Sequence, residues 1–317
     1  MDDWMARNGH KVVPRDRLRA LSVRSDLRGW AQTLSHVGAI CGTTAAIILV
    51  PANMPALLIP VLMVHGILIN CLYAGQHELS HWTAFKTKAL NDWVGQVFGF
   101  ATLNPFYTDR WAHFAHHRAT HDPLLDSELI GMKPYTSWSY FLDLIAVGFW
   151  RRRIRMIVRT AFAQGLEGDY WLTDEQRNAV ILEARIYVAL WVAIAVASIA
   201  FRSWIAVEFW IGPLLLTKWF HQLQNTGEHT GLDHDSDTFR NTRTLKGPAV
   251  MRWLVWNMSY HTAHHCFPGV PFHRLAELHG DIVANLGRPV PTLGYIEAQR
   301  EIFATLRRRA REAAQAA

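Results

Sequence analysis

Four stretches of the chain are apolar over many consecutive positions, roughly Trp30–Val50, Ala56–Ala74, Ile186–Phe201 and Trp204–Phe220. A helix that crosses a bilayer needs about 20 predominantly apolar residues. The second stretch meets this well. The third and fourth are short, and the fourth carries Glu208 and Lys218. The first two are separated only by Pro51–Pro55 and the last two only by Arg202–Ser203. Each pair therefore reads as a membrane hairpin rather than as buried helices of a water-soluble core. The pattern predicts an all-α integral membrane protein with about four transmembrane helices.

Hairpin topology puts both short breaks on one side of the membrane and everything else on the other. Charge follows the same division. Lys11, Arg15, Arg17, Arg19, Arg24 and Arg28 precede the first stretch. Arg151, Arg152, Arg153, Arg155 and Arg159 lie in the middle region, and Arg307, Arg308, Arg309 and Arg311 in the tail. The opposite side holds only Arg202. Lys and Arg concentrate in cytoplasmic loops, so both termini and the middle region are expected in the cytoplasm. The first stretch follows a long polar lead and lacks a small-residue cleavage pattern, so it does not read as a signal peptide.

Composition narrows the class. Half of the 317 residues are hydrophobic and 18% are charged, yet mean hydropathy is only +0.02, so spanning segments must be joined to a sizeable polar body. A disordered chain would be less hydrophobic and more charged. Cys41, Cys71 and Cys266 are too few and scattered for a disulfide framework. The net charge of +6 fits contact with anionic lipid better than nucleic acid, because Arg151–Arg159 is interleaved with Ile154, Met156, Ile157 and Val158. That pattern describes a helix lying among lipid headgroups.

The chemistry lies in the 17 histidines. His77 and His81 stand in His-Glu-Leu-Ser-His, and His113, His116 and His117 in His-Phe-Ala-His-His. His229 closes Gln-Asn-Thr-Gly-Glu-His, and His261, His264 and His265 stand in His-Thr-Ala-His-His. Residues three and four apart share one helical face, so each box aims its imidazoles together. The first box follows the second apolar stretch, His229 follows the fourth, and the others lie in the same cytoplasmic regions. All can converge beneath one membrane face.

Neutral imidazole is the commonest metal ligand. Eight or nine packed together without metal would repel when protonated and lack partners when neutral and buried. One tetrahedral zinc takes about four ligands, so this number implies two ions. A nitrogen-rich set suits Zn, Fe, Cu or Ni, and residue type alone does not choose among them. His36 and His65 lie inside apolar stretches and read as helix–helix contacts; His65 precedes His77 by about 18 Å of helix. His10, His234, His273 and His279 have no box and read as surface or local contacts. His121, one turn beyond its box, and His221, one turn before Asn225, are candidates to support ligands rather than to bind metal. Glu78, Asp109, Asp122 and Glu228 are the nearby carboxylates that could orient imidazoles.

In its order and spacing of boxes, with Asn225-x-x-x-His229 between the second and third, the sequence resembles the membrane fatty acid desaturase superfamily. Arg240-Asn-Thr-Arg-Thr and Trp256-Asn-Met-Ser-Tyr-His261 are similar to strings in bacterial members. The resemblance is clearest over 57–286 within a single domain of 1–317, flanked by a cytoplasmic N-terminal segment, 1–29, and a basic C-terminal tail, 300–317. It implies a four-helix membrane stalk under a cytoplasmic helical cap. That cap would hold two irons on His77, His81, His113, His116, His117, His229, His261, His264 and His265, with Asn225 near one iron through a water. It further implies an O2-dependent oxidoreductase that introduces a C=C bond into an acyl chain or other aliphatic substrate, a lipid or a small metabolite. A hydroxylase or ketolase on the same scaffold is the alternative. An aliphatic C–H bond offers no acidic proton or leaving group, so a redox metal must carry such chemistry. No haem-binding segment or Gly-x-Gly-x-x-Gly fingerprint appears. Electrons are therefore expected from a separate protein, such as an acidic ferredoxin with its reductase. A membrane zinc hydrolase would need neither O2 nor reductant. A metal transporter would carry its ligands within the spanning helices.

Overall fold

A computed structural model describes residues 11–130 and 132–316. His10 and the first ten residues of the expected N-terminal segment lie outside the described residues. The fold is built from helices: α1 (Arg15–Leu21), α2 (Asp26–Leu49), α3 (Leu58–Ser80), α4 (Lys88–Ala101), α5 (Phe106–Arg118), α6 (Ser137–Leu144) and α7 (Val147–Ala161). Then follow α8 (Asp174–Ala200), α9 (Gly212–Gly227), α10 (Thr238–Asn241), α11 (Ala249–Leu254), α12 (His261–Cys266), α13 (Leu275–Asn285) and α14 (Tyr295–Ala316). One departure from the all-α expectation is a two-stranded parallel ladder, β1 (Thr244–Lys246) against β2 (Thr292–Gly294).

Among the described residues, three helical segments are long and apolar enough to cross a membrane: Asp26–Leu49, Pro55–Ser80 and Asp174–Ala200. Two of them begin earlier than the apolar pattern indicates, because caps rather than hydrophobicity set their starts. The Ser25 side chain accepts from the Arg28 N–H at α2. Thr173 and Gln176 form a reciprocal capping box at α8, with Asp174 and Glu175 in its first turn.

The fourth apolar stretch is helical but interrupted. Its first part is a π turn, Val207–Ile211, running directly into α9. Pro213 explains the break, since it has no N–H to offer the carbonyl one turn before it, that of Phe209. That carbonyl instead receives His65 Nε2 at 2.8 Å. His65 Nδ1 meets Thr43 Oγ1 at 2.7 Å, so this one imidazole joins α2, α3 and the π turn. His36 acts alike: its Nε2 bonds Leu68 O at 2.9 Å and its Nδ1 receives Trp256 Nε1 at 3.1 Å. Both are the helix–helix contacts expected of polar groups inside apolar helices.

Helix α3 is the spine, packing against α2, α4 and α9. At Gly66 the α9 backbone comes so close that an added Cβ would lie 2.3 Å from Pro213 O. Only glycine allows that approach, and Asn70 secures it by donating to Leu214 O at 2.8 Å. The later half of α3 is buried among Phe85, Phe98, Phe106 and Trp256. This core holds the end of α3, where the first box sits, against the segment that leads into α12.

The basic helix α7 divides its arginines. Arg152 pairs with buried Asp143 at 2.7 Å and Arg159 with Asp169 at 2.6 Å. Arg151 and Arg155 stay exposed beside exposed Val147, Ile154 and Val158. Residues 300–316 belong to α14, whose Ile302 and Leu306 are buried in a cluster with Tyr140.

Candidate metal centre

Four separate segments bring their histidines to one place. His77 sits in the last turn of α3, and His81 caps it. His113, His116 and His117 lie on α5, where the three- and four-residue spacing turns all three rings to one face. His229 follows the end of α9. His261, His264 and His265 form α12. The chain enters α12 through Trp256 and Asn257, both at positive φ (49 and 57). Such a turn is strained for residues other than glycine. It is held by the burial of Trp256 against Phe98 and Phe272 and by Asn257 Nδ2 donating to Phe272 O at 3.1 Å.

The rings converge in two touching groups. One nitrogen each from His77, His81, His113, His117 and His264 lies within 4.8 Å of the others, as do those of His116, His229 and His265. His261 joins the second group, with Nε2 2.8 Å from His229 Nε2. The groups meet where the rings of His117 and His265 stack at 4.2 Å.

The nitrogens face one another across short gaps. His113 Nε2 is 3.0 Å from His81 Nε2 and 2.9 Å from His117 Nε2, which is 3.2 Å from His264 Nε2. His116 Nε2 is 3.3 Å from His229 Nε2. Imidazole nitrogens about 2.1 Å from one shared ion would sit about 3.0–3.4 Å apart, so these separations fit metal coordination. Among the described residues, both nitrogens of His77 and Nε2 of His265 are buried without a hydrogen-bond partner. Buried polar atoms are seldom left so, and a metal would satisfy one nitrogen of His77 and Nε2 of His265. Burial, followed by neighbouring imidazoles, pushes His113, His117, His229, His261, His264 and His265 well below the ordinary histidine range. They are neutral at pH 7, the form that offers a lone pair.

The outer nitrogens are oriented from behind. His229 Nδ1 donates to Asn241 O at 2.8 Å, and His265 Nδ1 meets Thr120 Oγ1 at 3.2 Å. His116 Nδ1 reaches both oxygens of buried Asp126 at 3.0 Å. Asp126 also accepts the N–H groups of His121 and Glu128, each at 2.8 Å. Burial works against charge on both partners. The His116 hydrogen bond nonetheless holds Asp126 below the usual carboxylate range, and Glu128, Asp126 and Glu228 hold His116 up to about 9.

Of the carboxylates expected to orient ligands, only Glu228 reaches a box, 3.3 Å from His261 Nδ1. Glu78 instead accepts from Thr83 Oγ1 and the Phe272 N–H, pinning the first box to the segment behind the third. Asp109 accepts from Tyr73 and Gln76, and Asp122 caps the N–H groups of Leu124 and Leu125. Asp126, the carboxylate that does orient a box ring, is missed by the sequence reading. It lies ten residues after His116, beyond a reversal at His121 (φ 65) that local spacing does not reveal. His121 itself bonds Asp233 O at 2.8 Å and stays outside both groups, and His221 Nδ1 sits 3.3 Å from Lys218 Nζ. His234 Nδ1 bonds His121 O at 2.9 Å, a contact between distant parts of the chain rather than a local one.

A cavity of about 700 Å³ opens onto His113, His116 and His229, with Asn225 in its wall. A second space of about 30 Å³ lies between His77, His113, His116, His229 and His261, with Asn225 again at its edge. It has room for about one water-sized molecule.

The family model described as Fatty acid desaturase matches residues 51–295, which hold every box. The chain is 21% identical over 275 residues to an sn-1 oleoyl-lipid 12-desaturase of Picosynechococcus sp., covering 82% of this chain and 78% of that protein. It is 23% identical to a Fatty acid desaturase of Bacillus subtilis, covering 64% and 62% of the two chains. It is 24% identical to a dihydrorhizobitoxine desaturase of Bradyrhizobium elkanii, covering 65% and 63%. A helical bundle with membrane-length segments, histidines gathered into metal-sized groups and a match over most of the chain lead to one conclusion: this chain belongs to the fatty acid desaturase family, membrane oxidoreductases of the desaturase type.

Proposed function

We propose that the chain is an O2-dependent di-iron desaturase. The observation that carries this reading is the meeting of nine imidazoles in two touching groups, with both nitrogens of His77 and Nε2 of His265 buried without a hydrogen-bond partner among the described residues. His77, His81, His113, His117 and His264 would hold one ion, and His116, His229, His261 and His265 the other, with Asn225 close by through a water. Two bound irons would supply the oxygen activation needed to take hydrogen from an unactivated C–H bond. The balance is one O2, two electrons and two protons consumed, two hydrogens lost from neighbouring carbons, and two waters formed.

The protein's own part is positional. Asp126, Asn241 and Thr120 fix the rings of His116, His229 and His265, so their inner nitrogens do not wander as charge changes. The 700 Å³ cavity admits a substrate along the edge formed by His113, His116 and His229. Holding a C–H bond there supplies the proximity such a reaction requires.

The membrane reading adds α9 and its π turn as a fourth span, so that all boxes emerge on one face. The positive-inside distribution puts that face, the helical cap and both termini in the cytoplasm of a bacterial cell. Exposed Ile154 and Val158 beside Arg151 and Arg155 suit α7 to the headgroup layer. Residues 1–317 form one domain, and a separate carrier such as ferredoxin with its reductase brings the electrons. The relatives' names point to an aliphatic substrate, one naming an oleoyl lipid and another dihydrorhizobitoxine.

The test is product analysis. Membranes containing the protein, supplied with reduced ferredoxin, are incubated in air or under argon, and lipids and small metabolites are compared by mass spectrometry. The reading expects a product two hydrogens lighter, in air only. A product that gains oxygen would assign a hydroxylase. Turnover under argon without reductant would assign a hydrolase and overturn the proposal.

A further inference from the structure

The cavity beside the metal centre carries positive charge that the metal chemistry does not use. Lys218 lies in an apolar stretch of α9, only 3% exposed, on the cavity wall. Among the described residues no carboxylate lies within ion-pair distance of its ammonium. Its Nζ stands 4.2 Å from the Phe149 ring and 3.3 Å from His221 Nδ1. Arg153 comes from α7 to the same wall, its Cζ 5.2 Å from the centroid of the same Phe149 ring. Its neighbour Arg152 is paired with Asp143, whereas Arg153 forms no ion pair among the described residues. The carboxylates on this wall whose charge acts on Arg153 are Asp109, which is engaged by Tyr73 and Gln76, and Glu128, and neither is within ion-pair distance of Lys218 or Arg153.

Burying a charge is costly unless it is paired, and bringing two like charges to one ring adds repulsion. A cation inside an apolar membrane stretch that faces a cavity marks a substrate path. Purely acyl cargo would need neither cation. We infer that Lys218 and Arg153 form an anion-binding subsite, and that the substrate carries a carboxylate or phosphate group held there. This inference rests on the proposed desaturase reading and names the substrate class of the same cavity.

The placement also sets a ruler. Lys218, His221, Asn225 and His229 recur on one side of the chain, and from Lys218 to His229 the axial rise is about 16 Å. His221, touching Lys218, borders the inner space shared with His77, His113, His116 and His229. An anion at Lys218 therefore sits within the length of a small molecule of the metal-facing rings. The carbons that react therefore lie within about 16 Å of the charged group.

The test is equilibrium binding to the full-length, iron-loaded protein in nanodiscs, with octanoate, octanamide and lysophosphatidate as probes. Octanoate is expected to bind at least tenfold more tightly than octanamide. Lys218→Met and Arg153→Met should each erase that preference without changing iron content, and Lys218→Arg should retain it. Should Lys218→Met not fold, Arg153→Met and Lys218→Arg give the same readout. Tighter lysophosphatidate than octanoate assigns the anion to a phospholipid head, and the reverse order assigns it to a free acid. Octanoate and octanamide binding alike or not at all, or a preference that survives both methionine variants, overturns the inference. Iron content and O2 uptake in the same preparation separate the two failures. Iron-replete, active protein without charge preference removes only the subsite, whereas protein that cannot hold iron removes the desaturase reading.

Discussion

Replacing His117 or His265 by alanine lowers turnover at least about 100-fold and removes close to half of the bound metal, while replacing His65 leaves metal content unchanged. The first two rings stack on each other at 4.2 Å where the two histidine groups meet. His117 Nε2 lies 2.9 Å from His113 Nε2 and 3.2 Å from His264 Nε2, so its loss opens the first group. His265 belongs to the second group with His116 and His229. A metal site that loses one of its few imidazole ligands loses much of its affinity. His65 has both nitrogens committed to Thr43 and Phe209 O, in the middle of the bundle. Its replacement should weaken helix packing and lower the melting temperature instead. Metal analysis of the three purified variants decides this. Normal metal in His117→Ala and His265→Ala, or lost metal in a folded His65→Ala, would show that the histidines are wrongly divided.

Asp126→Ala is expected to weaken metal binding about 10–100-fold, the usual cost of removing a partner that orients a metal-bound imidazole. His116 would keep its place on α5 but lose the acceptor for Nδ1–H, so its ring could turn and its basicity would fall. The same change strips acceptors from the N–H groups of His121 and Glu128, loosening the reversal behind the second box. Asp122→Ala is the matched control, because Asp122 caps only Leu124 and Leu125. Chelator competition measures both. Asp126→Ala holding metal as tightly as the parent chain would remove Asp126 from the centre.

The contrast between those two aspartates shows what the sequence makes legible. The boxes could be read because helical spacing fixes which face a side chain takes, and His113, His116, His117, His261, His264 and His265 all lie on helices. His229 could be placed because it follows an apolar stretch that ends at the same level as His77. Asp126 could not, since its approach to His116 depends on the left-handed reversal at His121, and loop paths carry no periodicity. The start of α8 at Asp174 was legible in principle through Thr173 and Gln176, but the apolar pattern alone puts the helix twelve residues too late. The π turn reflects a tertiary contact: Pro213 frees a carbonyl that His65 takes up from another helix. Lys218 stands out as a charge within an apolar run, but the cavity it faces emerges only when α7 folds across α9.

The most direct measurement is the iron content of the full-length protein purified from cells grown in air, set beside its activity. Convergence of rings from α3, α5, the end of α9 and α12 on a shared pair of ions calls for about two irons per active chain. Active protein with no transition metal, or with a single zinc and no iron, would contradict it.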